Sequence, residues 1–241
     1  MKGGQTGHID DGRVNFSLVL PLYNECEGIS KLVADLVKEF RAEGIVCELV
    51  LVNNGSTDST GDVLEDIQKS YGAIRVVNAP INQGYGWGII CGLREASGPV
   101  VGFMCGDGQI TPADVTRVYR RLIRQDLELC KVIRVVRHDG IKRKLLSKSY
   151  NLLFRLLFPV TSADINGTPK FFRRRCYQEL DLKSKDWFID AEIMIKATQR
   201  NYRIGEVAVE FRPRPTGESN VRLLTAVEFV WNMLRYRLRR K

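Results

Sequence analysis

The sequence predicts an α/β fold, a mainly parallel sheet flanked by helices, and three observations carry that reading. Through the first half of the chain, apolar runs of strand length alternate with stretches of helical spacing. Polar clusters rich in Asn, Asp, Gly and Ser close the apolar runs. Alternating units of this length bring parallel strands together, with helices on both faces.

The elements follow in order. Phe16 to Leu20 reads as a buried strand, and Ile29, Leu32, Val33, Leu36, Val37 and Phe40 then keep helical spacing. Leu49 to Val52 is a second strand, closed by Asn53-Asn54-Gly55-Ser56. Val63, Leu64, Ile67 and Tyr71 form the next helical stripe, Ile74 to Val77 a third strand, and Gly86 to Ala96 a glycine-rich helix. Val100 to Met104 is a fourth strand. The helix after it has Thr111 at its N-cap, Pro112 in its first turn and Asp114 as capping acid. The second half is less regular. Leu145 to Phe158 is apolar almost all round, Ile204 to Phe211 reads as a strand before Pro213 and Pro215, and Val221 to Leu238 reads as a long amphipathic helix. The expected organisation is a loose tail over 1–13, a catalytic domain over 14–213, and a basic amphipathic helical segment over 214–241.

Composition removes several classes. Among the 241 residues, 37 Lys and Arg face 28 acids, a net charge of +9. The excess gathers at Lys131, Arg134, Arg137, Lys142, Arg143, Lys144 and Lys148, and again at Arg235, Arg237, Arg239, Arg240 and Lys241. Such clusters meet anions: nucleic acid, anionic lipid or a phosphorylated substrate. Signatures of nucleic-acid modules are absent, so no nucleic-acid partner is expected. No run is long and apolar enough for a transmembrane helix, and the first residues lack the pattern of a secretory signal. The expectation is a cytoplasmic protein, peripheral on the membrane. No two of the six cysteines have C-x-x-C spacing, so they read as reduced thiols rather than a zinc site.

Ligands of open α/β sheets bind beyond the carboxyl ends of the strands. Three polar clusters fall there: Pro21-Leu22-Tyr23-Asn24-Glu25, Asn53-Asn54-Gly55-Ser56-Thr57-Asp58 and Gly106-Asp107-Gly108-Gln109. Together they offer a ring to pack a base, and donors and acceptors for a base edge and a ribose. Gly84-Tyr85-Gly86-Trp87-Gly88 contains G-x-G, but Cys91 stands where a dinucleotide fingerprint needs Gly or Ala. No P-loop occurs, and with only His8 and His138, both in polar surroundings, no nucleophilic triad is expected.

With these clusters in place, the chain resembles family 2 of the inverting glycosyltransferases, which have the GT-A fold. Within that family it is most similar to dolichyl-phosphate mannose synthase and bacterial polyprenyl-phosphate sugar transferases. The resemblance runs from about Phe16 to Tyr236. Pro21 to Glu25 matches P-x-Y-N-E, Val52 to Asp58 matches V-D-D-G-S-x-D, and Asn82-Gln83-Gly84 matches N-x-G. Met104 to Gln109 matches M-D-A-D-x-Q, Arg143 to Ser147 matches R-x-x-x-S, and Asp164 to Gly167 matches D-x-x-G. Phe188 to Glu192 matches F-x-D-x-E, and Gly217 to Asn220 matches G-x-S-K. The order and spacing of the motifs carry the match more than any one of them.

The resemblance implies a hexosyltransferase that moves a sugar from a UDP- or GDP-linked donor to a polyprenyl phosphate, with inversion, at an anionic membrane surface. The alternative is transfer to a soluble sugar or cell-surface polysaccharide. It implies donor contacts at Pro21, Tyr23, Glu25, Asn53, Asn54, Ser56, Asn82, Gly84 and Asp107. A divalent metal, Mg²⁺ or Mn²⁺, falls to Asp107 and Gln109, held less firmly than usual because Cys105 replaces an aspartate. The acceptor phosphate falls to Arg134, Arg143, Ser147, Arg173 and Arg174, since arginine grips phosphate bidentately. Asp107, Asp190 and Glu192 are the catalytic candidates; the last two would orient the acceptor or serve a hydroxyl acceptor as base. The bland role for Asp190 and Glu192 is capping a helix N-terminus.

Overall fold

The computed structural model of the chain describes residues 13–137, 152–160, 162–215, 231–233 and 235–238. β1 (Phe16–Leu22), α1 (Ile29–Ala42), β2 (Cys47–Asn54), α2 (Thr60–Ser70), β3 (Ile74–Ala79), α3 (Tyr85–Glu95) and β4 (Val100–Phe103) alternate as the spacing predicts. α4 (Pro112–Arg124) and β5 (Leu129–Arg137) follow, then β6 (Lys170–Arg173), α5 (Arg174–Leu180), α6 (Ile189–Gln199) and β7 (Ile204–Phe211). The strands form one seven-stranded sheet in the order β3-β2-β1-β4-β6-β5-β7. β6 runs antiparallel to both neighbours, β4 and β5. The other pairings are parallel.

β1 lies inside the sheet, and its two-residue period divides the core. Phe16, Leu18, Leu20 and Leu22 face α1 and α4, meeting Leu32, Leu36, Phe40, Val115 and Val118. Val19 faces the other way, with Val50 and Val52, onto Ile89 and Leu93 of α3 and a layer that includes Ile193 of α6. The helix start read from Thr111 is in place. Thr111 Oγ1 accepts the Asp114 amide at 3.1 Å and donates to the Asp114 carboxylate at 2.7 Å. Such a cap contributes about 1 kcal/mol.

The second half holds more regular structure than its sequence announces. β5 carries Lys131 and Arg134, part of the charge run read above as a basic cluster, yet Lys131 is fully buried. Its ammonium donates to the Asp164 and Val132 carbonyl oxygens at 2.6 and 2.9 Å and lies 3.1 Å from a Glu206 carboxylate oxygen. Those partners are what make the burial tolerable. Residues 152–157 are helical, and 231–233 and 235–238 are helical within the stretch read as a long helix from Val221 to Leu238. The rest of the apolar stretch from 145 and of the C-terminal helix lies outside the described residues. Arg214, assigned above to the C-terminal helical segment, sits in a non-helical connection after β7. All six cysteines are free.

Candidate active site

The carboxyl ends of β1, β2 and β4 bring the three polar clusters to one edge. The first two are laced together. The Asn24 amide N–H donates to Ser56 Oγ at 3.2 Å, Asn24 Oδ1 accepts the Thr57 amide at 2.9 Å, and the Glu25 amide donates to Thr60 Oγ1 at 3.0 Å. Asn53 Oδ1 accepts the Ser56 amide at 3.1 Å and so folds the turn it begins. Asn54 is buried rather than open to a nucleoside. Its side-chain amide donates to the Gly84 carbonyl oxygen at 3.0 Å and approaches Asn82 Oδ1 at 3.4 Å. Asn82 Oδ1 also accepts the Gly84 amide at 2.8 Å. The Asn54 side chain is therefore turned into the wall of the site, while Asn82 stands exposed beside it.

β4 delivers Cys105, Asp107 and Gln109. Asp107 Oδ1 accepts the Gln109 amide at 3.1 Å, and burial pushes its carboxyl above the usual range against nearby Arg214 and Arg134. The Gln109 side-chain nitrogen donates to the Arg212 carbonyl oxygen at 2.8 Å, which leaves Oε1 as its ligating atom. Cys105 Sγ lies 3.4 Å from the Tyr85 hydroxyl and 3.7 Å from Thr168 Oγ1. Burial, with Asp107 beside it, pushes the thiol up to about 11, so it stays protonated. Among the described residues no three His, Cys, Asp or Glu side chains gather as a metal cluster. The residues present fit a divalent cation only as a site that a bound diphosphate completes, with Asp107 as its one carboxylate.

Arg214 was not among the expected site residues. It pairs with Glu25, whose carboxyl is raised by burial while Arg214 opposes the shift. Its signal in the sequence was an arginine just past a strand end, between two prolines.

The expected acceptor contacts divide. Because β6 is antiparallel, Lys170 lies beside Phe103 at the carboxyl edge of β4, and Arg173 beside Val100 at the opposite edge. Arg173 pairs there with Asp126 at 3.0 Å, and Arg174 donates to the Gly98 and Ala96 carbonyl oxygens at 2.7 and 2.6 Å. Neither arginine stands at this site. Arg134 lies near it but grips Asp164 with both arms of its guanidinium, at 2.8 and 2.7 Å. That pair holds the Asp164 carboxyl well below its usual range despite burial. Arg134 is therefore already neutralised. Arg143 and Ser147 lie outside the described residues.

Asp190 and Glu192 are buried and occupied. Asp190 is ion-paired with the fully buried Lys170. Glu192 accepts the Lys183 and Ser184 amides at 3.1 and 2.7 Å and pairs with Lys196. Neither side chain caps its own helix. Glu192 instead fixes the loop 183–187, which rests on α3: the Trp87 amide donates to the Lys185 carbonyl oxygen at 2.9 Å, and the Tyr85 and Trp187 rings stack at 4.5 Å. Gly86 makes that approach possible, since a Cβ there would lie 2.4 Å from the Ser184 oxygen and 2.7 Å from the Asp186 oxygen. Gly86→Ala should therefore displace the loop and cost about 1–3 kcal/mol in chemical denaturation, more than the helix propensity it gains, at most about 1 kcal/mol. An unchanged or raised midpoint would mean that the loop does not pack on α3.

Comparison with known proteins places the chain in a family. Residues 17–181 match the model of Glycosyl transferase family 2. The chain is 27% identical over 229 residues to undecaprenyl-phosphate 4-deoxy-4-formamido-L-arabinose transferase of Pectobacterium carotovorum subsp. carotovorum, covering 94% of this chain and 68% of the relative. It is 29% identical over 227 residues to dodecaprenyl-phosphate galacturonate synthase of Rhizobium johnstonii, covering 92% and 66%. The chain thus spans about two thirds of the length of these relatives. Among solved structures, glucosyl-3-phosphoglycerate synthase from Mycobacterium tuberculosis, in complex with Mn²⁺, UDP-glucose and phosphoglyceric acid, superimposes with a TM-score of 0.71. That match has 22% identity and covers 95% of this chain and 80% of the other. The shared fold is GT-A, and the family match takes in β1 to α5, including the carboxyl ends that carry the three clusters. The chain belongs to glycosyl transferase family 2 and is a glycosyltransferase.

Proposed function

We propose that this enzyme transfers a hexose from a UDP- or GDP-linked donor to a polyprenyl phosphate, with inversion, as a peripheral protein on the anionic cytoplasmic face of a membrane. The observation that carries the acceptor half is the commitment of Asp190 to Lys170 and of Glu192 to the 183–184 amides. A hydroxyl acceptor, as in a soluble sugar or polysaccharide, needs a general base beside the anomeric carbon. A phosphate monoester, with a second pKa near about 6, arrives already anionic. Its oxygen attacks the anomeric carbon as the bond to the donor diphosphate breaks, and the nucleoside diphosphate leaves. The polyprenyl phosphates in the names of both relatives support the same acceptor class.

On this reading Pro21, Tyr23, Asn53 and Ser56 receive the nucleoside, with Asn54, Asn82 and Gly84 shaping the wall behind it. Asp107 and Gln109 would hold Mg²⁺ or Mn²⁺ together with the donor diphosphate; when bound, the ion neutralises charge building on the leaving group. Arg214, oriented by Glu25, adds a guanidinium at the same edge. Arg143 and Ser147 remain the proposed contacts of the acceptor phosphate. Among the described residues no helix is long and apolar enough to cross a membrane. A screen of UDP- and GDP-linked sugars with a short-chain polyprenyl phosphate, read as nucleotide release, tests the donor half. Release that requires the lipid phosphate supports the reading, and release indifferent to it contradicts the reading.

A further inference from the structure

We infer that the open cavity at the amino-terminal edge of the sheet is a second ligand site, built for a compact phosphate monoester with an apolar body. The cavity measures about 580 Å³, an ordinary size for a small-ligand site. It lies where β1 and β4 begin, beside Val100 and its β6 neighbour Arg173. The seven residues of β1 separate it from the donor edge, roughly 20 Å at about 3.3 Å per residue. It is therefore no part of the site described above.

The polar lining selects an anion. Arg13, Asn15, Tyr119 and Arg173 bring side chains that can donate, and among the described residues that line the cavity none is an acid. Asn15 Oδ1 accepts the Val46 amide at 2.8 Å, which leaves Nδ2 as its remaining polar atom. The Arg173 guanidinium lies close enough to the Tyr119 hydroxyl to offset part of the rise that burial gives this phenol. A carboxylate offers two oxygens to these four groups, and a phosphate monoester offers three. Arg173 can turn to such a ligand. It pairs with Asp126 at 3.0 Å, but Asp126 is 75% exposed and also lies 3.2 Å from Arg203. An exposed pair of this kind holds loosely, and Asp126 keeps Arg203 when Arg173 leaves it.

The rest of the lining is apolar and already in place. Val14, Pro99 and Ile123 contribute it, and Ile123 is 39% exposed, an apolar side chain that its helix leaves uncovered. The Gly98 amide donates to Ser17 Oγ at 2.8 Å, the Ser97 amide to Glu48 Oε2 at 2.7 Å, and the Arg174 amide to the Pro99 carbonyl oxygen at 2.9 Å. The Tyr119 ring packs on Phe16 and Phe171, with centroids 4.6 and 6.2 Å away. Walls fixed in this way lower the ordering cost of binding.

Amide NMR of the full chain, titrated separately with phenyl phosphate, phenol and inorganic phosphate, tests the site. Phenyl phosphate should shift the Gly98 and Val100 amides saturably, and phenol and inorganic phosphate should each bind at least about tenfold more weakly. Arg173→Gln should weaken phenyl phosphate by about ten- to a hundredfold, the scale of one charge-assisted contact. The Gly55 and Gly108 amides should keep their wild-type positions in that variant, which shows that the fold and the donor edge are intact. Ile123→Ser should weaken phenyl phosphate and leave inorganic phosphate unchanged. Shifts confined to Gly55 and Gly108, affinity for phenol or inorganic phosphate equal to that for phenyl phosphate, or undiminished affinity in Arg173→Gln overturns the inference.

Discussion

Asp107→Asn should lower sugar transfer by about a hundred- to a thousandfold, the scale of removing one well-placed electrostatic group from a transition state. The substitution keeps the fold, because an asparagine Oδ1 can still accept the Gln109 amide that Asp107 now accepts at 3.1 Å. What it removes is the one carboxylate at the end of β4, in a position where the neighbouring thiol of Cys105 is neutral. The loss should appear in turnover at saturating donor and metal, with the unfolding midpoint unchanged. A variant that keeps a tenth or more of wild-type turnover would remove Asp107 from the centre of the chemistry.

Lys170→Met should destabilise the protein by about 3–5 kcal/mol, because it strands Asp190 as a buried, unpaired charge. Lys170 is fully buried and Asp190 is 4% exposed. Burial lowers the Lys170 ammonium from its usual range, with Asp190 opposing that shift. Replacing both partners, as Lys170→Met with Asp190→Leu, should recover most of the loss, since an apolar pair of similar volume carries no desolvation cost. Denaturant unfolding measures both. A single variant that loses less than about 1 kcal/mol, below the range expected for a broken buried pair, would mean that Lys170 and Asp190 do not depend on each other in the folded state.

The first half of the fold was legible because local chemistry decides it. β1 to α4 follow from apolar period, from Asn and Gly at strand ends, and from the cap at Thr111. The same turns placed Asp107, Asn53 and Ser56 at one edge. In the second half β7 was legible as a strand from Ile204 to Phe211, but the placement of its charged residues was not, because partners distant in sequence decide it. Lys131 and Arg134 read as exposed cations, yet Asp164, about thirty residues on, supplies a carbonyl oxygen to one and a carboxylate to the other. Arg173 and Arg174 were misplaced because nothing local reveals that β6 runs against its neighbours, which carries them to the far edge of the sheet. Asp190 and Glu192 look like free acids at a helix start; only the fold supplies Lys170 and the 183–184 amides that occupy them. Arg214 reached the site for the converse reason: two prolines read as a strand stop also carry an arginine back to Glu25.

The most direct test of the account is a comparison of acceptors with one purified protein and one saturating nucleotide-sugar donor. A short polyprenyl phosphate, the matching polyprenol without phosphate, and a soluble sugar are offered separately, and products are resolved by mass and anomeric configuration. The account predicts a sugar linked through the phosphate with inverted configuration, and no product on either hydroxyl acceptor. Transfer to the polyprenol or the soluble sugar at a rate comparable to the lipid phosphate would contradict it, because it would require a general base where Asp190 and Glu192 are already taken.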